Sequence, residues 1–393
     1  LKADYDVIVV GAGPGGSFAA KAVAKGGASV LLIDRRKELG APVRCGEGLG
    51  SHWLKELGLK VSPKAISAEI SGSVLYSPNL KRAVKIQNPE TKGYVIDRKV
   101  FDKDLAIDAG RSGAEVIVKT EVYDVVKKDG KPCGVKAYSM GEKLEATCRV
   151  LIAADGGEST VARMAGMNST ATLYDTDFAV EYEMVNVDCE DLIEIYFSKD
   201  AAPRGYVWVF PKGKDVANVG VGIGGLERGN AIDYLEKFIK NNKRFKDAQT
   251  VAIKGGLIPV GEPLKEFVAD GLMVVGTAAH QVDPIHGGGM ALAMEAGGMA
   301  GEVAARCALE GKVDKQHLFE YEKTWRKKVE PKLMKRLRLR KVLEKLNDDD
   351  FNAIFENLND DDLDKLMKGD YKPVVQKVLL KRPQLLKVLS ALI

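Results

Sequence analysis

The stretch Asp6 to Asp34, DVIVVGAGPGGSFAAKAVAKGGASVLLID, constrains this chain more than any other. It opens on Val7-Ile8-Val9-Val10, a β-branched run short and apolar enough for a strand buried on both faces. Gly11, Gly13 and Gly16 follow at the spacing G-x-G-x-x-G. A small-residue helix is expected from about Ser17 to Lys25. A second apolar strand, Ser29 to Ile33, ends at Asp34. Each glycine has its own physical task. Gly11 allows a tight turn, Gly13 lets a pyrophosphate approach the backbone, and Gly16 lets the helix pack closely on the strand. The phosphates then sit on unpaired N–H groups at the positive end of the helix. Asp34 lies roughly 20 residues on, where a carboxylate accepts hydrogen bonds from ribose hydroxyls. Glycines alone are a weak signal, since a plain βαβ turn also carries them. Here strand, glycines, helix, strand and acid occur in the order of a dinucleotide-binding unit.

A chain of 393 residues has room for two domains. Its net charge of +4 is too small to argue for nucleic acid. No run of about 18 apolar residues is present, so no spanning helix is expected. The sequence enters its first strand at once, so no signal peptide is expected. Cys45, Cys133, Cys148, Cys189 and Cys307 are scattered, with no C-x-x-C pair, so neither zinc nor a redox disulfide is expected. Free thiols fit a reducing cytoplasm.

The Gly- and Pro-rich loop Arg35 to Gly50 holds Arg44, Cys45 and Glu47 together. Loops of this length are more often functional than idle. Arg44 can fork onto a phosphate. Cys45 reads either as a small buried hydrophobe or as a group used in turnover. Short strands are expected over 66–96, with Ile70 to Leu75 the clearest. A helix over 97–113 has Asp97 as its N-cap, Phe101, Leu105 and Ala109 as its apolar face, and Gly113 as its stop. Strands follow near 115–126, 132–139 and 143–153, with Asp129-Gly130 as a hairpin turn. The last runs into Asp155-Gly156 and a helix bearing Ser159 and Arg163. Asp155 either holds a sugar or ribityl hydroxyl or simply caps that helix.

From 178 to 224 the pattern alternates, as in an antiparallel meander. Tyr206, Trp208 and Phe210 share one face of a strand, and Val207 and Val209 the other. The aromatic face is either core packing or the wall of an apolar substrate cavity. A helix near 230–242 and a strand ending at Ile258-Pro259 follow. Buried-strand texture returns at Gly271 to Gly276. Gly287, Gly288 and Gly289 then precede a Gly/Ala-rich helix and suggest a backbone nest for an anion. His280 and His286 flank Asp283 without a third convergent ligand, so both histidines are read as structural. The last 80 or so residues are expected to be helical. Lys323 to Lys345 interleaves cations with Leu, Met and Val: a solvated face or a membrane-surface segment. Leu-Asn-Asp-Asp-Asp recurs at Leu346 and Leu358, and the Asp runs read as N-caps. Leu379, Leu380, Leu385, Leu386, Leu389 and Leu392 give the C-terminus an apolar face.

Three separated segments now agree. G-x-G-x-x-G at 11–16, the Asp155-Gly156 to Arg163 segment, and G-x-A-A…D-P…G-G-G at 276–289 resemble the FAD-dependent para-hydroxybenzoate hydroxylase superfamily. PVRCGEG at 42–48 and YVWVFPKG…NVGVG at 206–222 narrow the resemblance to the geranylgeranyl reductase family. The resemblance covers about residues 5–310. It implies FAD, with Gly11, Gly13 and Gly16 at the pyrophosphate and Asp34 at the adenosine ribose. It puts Arg44 and Arg98 in the phosphate and ribityl region and Gly287 to Met290 beside the isoalloxazine. Pro14, Gly15, Arg35, Cys45, Gly46, Val122, Asp155, Gly156, Gly276 and Thr277 complete the expected cofactor set. Thr277 stands where the superfamily usually has Asp.

The implied reaction is saturation of isoprenoid double bonds, in archaeal members those of ether-linked membrane lipids. A trisubstituted alkene is a poor hydride acceptor. A hydride from reduced flavin must therefore be matched by a proton at the adjacent carbon, with the alkene held in near-attack geometry. Cys45 and flavin-bound water are the candidate acids. Cys45, Tyr206 and Trp208 form the expected catalytic set, and Tyr206, Trp208 and Phe210 the substrate wall. No second G-x-G-x-x-G unit serves NAD(P)H, and both a nicotinamide and a ferredoxin remain open as donor. The expected architecture is mixed α/β. A Rossmann-like FAD domain spans 1–70, 97–170 and 265–310. An antiparallel-sheet substrate domain spans 71–96 and 171–264, and a helical region 311–393. Two rivals stand beside this reading: an FAD monooxygenase of an aromatic or polyene, and a non-catalytic protein docking through its basic segment.

Overall fold

The apolar run at the N-terminus forms strand Asp4–Val10 in the middle of an eight-stranded sheet. The structure, a computed structural model, describes residues 3–87 and 92–359, and beyond them Asp362, Lys365, Pro373, Val374, Gln376 and Lys377. The chain divides into two units, each described by itself. The first is Leu1–Pro42, Arg98–Thr172 and Pro259–Leu333; the second is Val43–Asp97, Leu173–Ile258 and Met334 onward.

In the first unit, Leu272–Val274, Glu142–Ala153, Asp4–Val10, Val30–Ile33 and Glu115–Ile117 run parallel in that order. Val7, Ile8 and Val9 are fully buried, as a two-sided parallel strand requires. Thr120–Lys128 and Lys131–Ser139 extend Glu142–Ala153 as antiparallel hairpins. Their turns put Asp129-Gly130 and Met140-Gly141 at positive φ. Only the first carries a sequence signal, because Met is not a residue that favours this conformation.

Helix Pro14–Lys25 begins three residues before the expected Ser17, at a proline whose φ is already helical. It packs on Met290–Glu310 at near-backbone distance. A Cβ at Gly297 would lie 2.0 Å from the Gly15 carbonyl oxygen, and one at Gly301 2.4 Å from that of Ala19. This close approach explains the Gly/Ala content of both helices. Helix Arg98–Arg111 buries Phe101, Leu105 and Ala109 as its periodicity implies.

The second unit is built on a seven-stranded sheet. Its order is Gln249–Pro259, Thr176–Val185, Val216–Gly224, Tyr206–Pro211, Leu192–Tyr196, Gly72–Tyr76, Ala83–Ile86. The four strands between 176 and 224 are antiparallel as expected but do not form a sequential meander: Thr176–Val185 pairs with Val216–Gly224, the last of the four, and Leu192–Tyr196 pairs instead with Tyr206–Pro211 and, parallel, with Gly72–Tyr76. One face, with Val180, Tyr182, Met184, Val207, Val209, Val219 and Val221, forms a core with Leu235 of helix Ala231–Asn241. The alternation then forces Glu181, Glu183, Trp208 and Phe210 onto the opposite face.

Three expectations change. Ile70 to Leu75 is not one strand. The Ser71 N–H donates to Asp191 O, and the chain breaks there between Ile66–Ile70 of a three-stranded sheet and Gly72–Tyr76 of the large one. The chain leaves the first unit at Pro42, not near residue 70, because Gly48–Gly50 pairs with Gly93–Ile96. Residues from 311 on do not form a region of their own. Helix Lys315–Lys328 belongs to the first unit, where fully buried Trp325 stands edge-on to Phe267 at 5.0 Å. Helix Asp348–Asn357 belongs to the second, and its Phe355 packs on Phe197. The first Asp run does mark a helix start, where Asn347 and Asp350 form a reciprocal capping box; Asn359 and Asp362 make the same pair of hydrogen bonds. The C-terminal leucines Leu379 to Leu392 lie outside the described residues. Among the described residues, no helix is long and apolar enough to cross a membrane.

Candidate active site

Two helix starts meet in the first unit. Neither Pro14–Lys25 nor Met290–Glu310 has a side chain capping its N-terminus. They lie together, since a Cβ at Gly15 would come within 3.0 Å of the Ala293 carbonyl oxygen. Two sets of orphan N–H groups and two positive helix ends therefore share one place. The glycines around them differ in kind. Gly11 has φ 104°, and a Cβ at Gly16 would lie 1.8 Å from the Gly11 carbonyl oxygen. The fold itself needs both. Gly13 is extended, with φ −75° and ψ −175°, and a Cβ there would meet no protein atom within 4 Å. Nothing inside the protein asks for glycine at that position.

Asp34 is buried at the end of its strand. Oδ2 accepts from the Ala12 N–H (2.8 Å) and Arg36 Nη2 (2.7 Å), and Oδ1 from Arg36 N and Nε (both 2.8 Å). Burial works against the charge, but Arg36 overcomes it and holds the carboxyl below its usual range. A carboxylate has about four acceptor positions, and here all are taken within the protein. A ribose hydroxyl bound at Asp34 would have to displace one of these donors. Arg98 likewise forks onto Asp102, at 2.7 and 2.9 Å, and Arg35 pairs with Glu158. Val122 is half-buried in a strand whose Thr120 N–H donates to Asp34 O at 2.9 Å.

Asp155 does cap its helix, with Oδ2 accepting the Val161 N–H at 2.9 Å. Its Oδ1 is buried and takes no hydrogen bond, and burial raises the carboxyl. Gly156, next to it, has φ 81°. Gly276 donates its N–H to Gln281 Oε1. Half-buried Thr277 sets its Oγ1 3.4 Å from where a Gly289 Cβ would be. The anion nest expected at Gly287 to Gly289 is largely spent. Gly287 N–H donates to Asp283 O (2.9 Å) and Gly288 N–H to His286 Nδ1 (3.1 Å). What points outward is the start of helix Met290–Glu310. His280 Nε2 meets Ser169 O, and His286 Nε2 lies 3.3 Å from Asp283 Oδ2. Among the described residues no cluster could hold a metal.

The second unit brings the two family-like motifs together. Gly46 and Gly48 lie on the Phe210 ring: a Cβ on either would come within 3.2 Å of it. Glu47 between them turns down at φ 71° and is 1% exposed. Its Oε2 accepts from Lys212 (2.7 Å), Asn218 (2.8 Å) and Lys254 (2.9 Å). Glu183 accepts from Lys254 (2.8 Å) and Lys212 (3.1 Å). Glu181 Oε2 accepts the Trp208 indole N–H at 2.7 Å. Lys254 Nζ stands 3.3 Å from Glu181 Oε1, but not in hydrogen-bond geometry, and that buried atom has no such partner. Gly220 makes the row possible, because Glu181, Gly220 and Trp208 face one another in register and the indole lies over the glycine.

This cluster holds three carboxylates against two ammonium groups. Fully ionised, it would bury a net negative charge. That costs several kcal/mol, while protonating an ordinary carboxyl at pH 7 costs roughly 3 kcal/mol. One proton therefore belongs to the cluster, and the hydrogen bonds decide where. Burial opposes ionisation of Glu47, but Lys212 and Lys254 hold it at about 2. Glu183 is also lowered by the same lysines against its burial. Burial prevails at Glu181, which is pushed up to about 7 despite Lys254 and the indole.

A model of the geranylgeranyl reductase catalytic domain matches residues 175–258, and one of FAD dependent oxidoreductases residues 6–188. A digeranylgeranylglycerophospholipid reductase of Methanocaldococcus jannaschii is 43% identical over 395 residues, covering 99% of this chain and 98% of that one. The chain belongs to the geranylgeranyl reductase family of FAD-dependent oxidoreductases. A protein of the same name from Methanothrix thermoacetophila is 38% identical, with 99% of each chain covered. A crystal structure described as geranylgeranyl bacteriochlorophyll reductase-like, from Thermoplasma acidophilum, has a TM-score of 0.90 at 35% identity and covers 99% of both chains. A flavin-dependent brominase shares the fold, with a TM-score of 0.71 at 20% identity over 99% of this chain and 93% of its own.

The residues of this geranylgeranyl reductase family member fit FAD. The two uncapped helix starts, the open face of Gly13 and the orphaned Asp155 Oδ1 each suit a dinucleotide with a polyol chain. In the second unit, Cys45 is half-buried and its Sγ accepts the Glu47 N–H at 3.3 Å. It is not the buried hydrophobe that one reading of the loop allowed. Arg44 is exposed, against Gly256 of the edge strand. Tyr206, Trp208 and Phe210 form a ladder with ring centroids 5.9 and 6.3 Å apart. Glu181, Glu183, Lys212, Asn218 and Lys254 are absent from the sequence-based set. Lys212 and Asn218 lie within the quoted 206–222 segment without being singled out, and the signal for Glu181 and Glu183 was their alternation with Val180, Tyr182 and Met184, which by itself describes a solvent face.

Proposed function

We propose that this chain is a digeranylgeranylglycerophospholipid reductase that saturates the geranylgeranyl double bonds of an archaeal ether-lipid precursor. The carrying observation is the meeting of PVRCGEG and YVWVFPKG on one sheet face, with Glu47 locked beneath the Cys45 turn by Lys212, Asn218 and Lys254. The full-length similarity to digeranylgeranylglycerophospholipid reductases supports the same substrate. Reduced FAD supplies the hydride. The chain's residues hold the pyrophosphate at Gly13 and the start of helix Pro14–Lys25, and a polyol hydroxyl at Asp155. Tyr206, Trp208 and Phe210 line the isoprenoid chain, with Cys45 at its edge. The electron donor belongs to one of two classes, a ferredoxin or NAD(P)H.

The test uses oxygen as the variable. Chemically reduced protein is mixed with geranylgeranyl-bearing phospholipid with and without air, and the lipid is weighed by mass spectrometry. Two hydrogens gained per double bond without oxygen is the expected result. Lipid that gains an oxygen atom in air and stays unchanged anaerobically would establish a monooxygenase instead.

Work on such a lipid needs contact with a membrane face, here the cytoplasmic one. Over Lys323 to Lys345 the apolar residues Trp325, Val329, Leu333, Leu337 and Val342 point inward, while Lys327, Lys328, Lys332, Lys335, Arg338, Lys341 and Lys345 are exposed. Attachment by this segment is therefore electrostatic, at roughly 1 kcal/mol per cation near an anionic surface. Binding to anionic vesicles should fall steeply as salt is raised. Binding unmoved by salt would remove the basic face from the proposal.

A further inference from the structure

We propose that Glu181 holds, as a carboxylic acid, the proton that alkene reduction consumes. The inference rests on the reductase reading and deepens it, since neither Cys45 nor water is needed as the store. The geometry carries it. Glu181 is 3% exposed, shares a register row with Trp208, and its Oε2 lies 3.5 Å from where a Gly46 Cβ would be, directly under the Cys45–Glu47 turn. Every charged group facing it has been assigned a partner. Lys212 and Lys254 are held by Glu47 and Glu183, Asn218 by Glu47 and Lys254, and Arg44 lies further along the edge strand against Gly256. Of the three acids in this cluster, Glu181 is the one with a buried oxygen that takes no hydrogen bond, and charge balance places the spare proton there.

The step balances. The alkene π bond breaks and two C–H bonds form. The hydride, with its electron pair, comes from the reduced cofactor and leaves it oxidised. The proton leaves Glu181, whose carboxylate is then countered by Lys254 at 3.3 Å until water restores the proton. Burial keeps this acid protonated up to about 7, near the working pH, where a proton donor is most effective.

The test compares wild type with Glu181→Gln. Glutamine keeps the shape, the neutral charge and an oxygen for the Trp208 indole, but has no proton to give. Infrared spectra of the wild type should show a protonated-carboxyl band at about pH 6 that is gone at about pH 9 and absent from the variant. In anaerobic single turnovers, the wild-type rate should fall as pH rises through about 7. The variant should bind FAD normally yet run at least about 100-fold slower, with no such pH dependence. A variant with wild-type rate and pH profile would mean that Glu181 only fills and orients, and the proposal would be overturned. So would a wild type lacking the band. A wild type that shows the band but leaves the lipid untouched overturns the reductase reading itself.

Discussion

Gly13→Val is expected to yield a folded, colourless protein. Valine adopts the extended φ of −75° and ψ of −175° at this position without strain, and a Cβ there meets no protein atom within 4 Å. Its methyl groups instead occupy the approach of the pyrophosphate to the start of helix Pro14–Lys25. FAD affinity should fall by at least about 100-fold, roughly 3 kcal/mol. The circular dichroism and melting temperature of the FAD-free variant should match those of FAD-free wild type. Gly16→Ala is the contrast. Its Cβ would lie 1.8 Å from the Gly11 carbonyl oxygen, so that variant should lose stability whether or not FAD is present. A yellow Gly13→Val protein with normal FAD content would refute the assignment.

Lys254→Met is expected to be the most destabilising single change in the second unit. Lys254 is 6% exposed and contacts Glu47, Glu181 and Glu183 within 3.3 Å. Methionine fills similar space but leaves the Glu47 and Glu183 carboxylates to Lys212 alone and takes the one cation away from Glu181. Removing one partner from a buried ionic cluster costs roughly 3–5 kcal/mol, read as a lower urea midpoint at pH 7. The pH dependence has a definite sign. The Glu47 carboxyl is lowered to about 2, so its contribution is present above its ordinary range near 4.5 and is lost as pH falls through 2. Lys254 is raised, so its contribution is complete below its ordinary 10.5 and is lost only at higher pH. Glu181 is raised to about 7, so it favours the folded state least above 7, where it must ionise in place. The deficit of Lys254→Met should therefore shrink as pH drops below 7 and its stranded carboxyls take up protons. A loss under about 1 kcal/mol would show the cluster to be solvated rather than buried.

The nucleotide unit was legible because its signals are local. A buried parallel strand is a continuous apolar run, and G-x-G-x-x-G is read within six residues. The aromatic strand at 206–211 was legible for the same reason. The charged cluster was not. Glu181 becomes a buried acid only because Gly220 lets Trp208 lie across it and because Glu47 arrives from more than a hundred residues away. Alternation says which residues share a face; it does not say whether that face meets water or another loop. Ile70 to Leu75 misled in the same way, since the pattern continues through Ser71 while the pairing partners change. The Gly287 to Gly289 nest is largely spent for a different reason. The N–H groups of Gly287 and Gly288 are claimed by Asp283 and His286, contacts made by backbone folding rather than by spacing.

The most direct measurement is a count of flavin against double bonds under strict anaerobiosis. Protein carrying reduced FAD is mixed in excess with geranylgeranyl-bearing phospholipid. Flavin reoxidation is followed by absorbance, and the lipid by mass spectrometry. One flavin oxidised for each two-hydrogen gain in lipid mass is expected. Flavin that stays reduced in the presence of the lipid, and reoxidises only when air is admitted, would contradict the assignment.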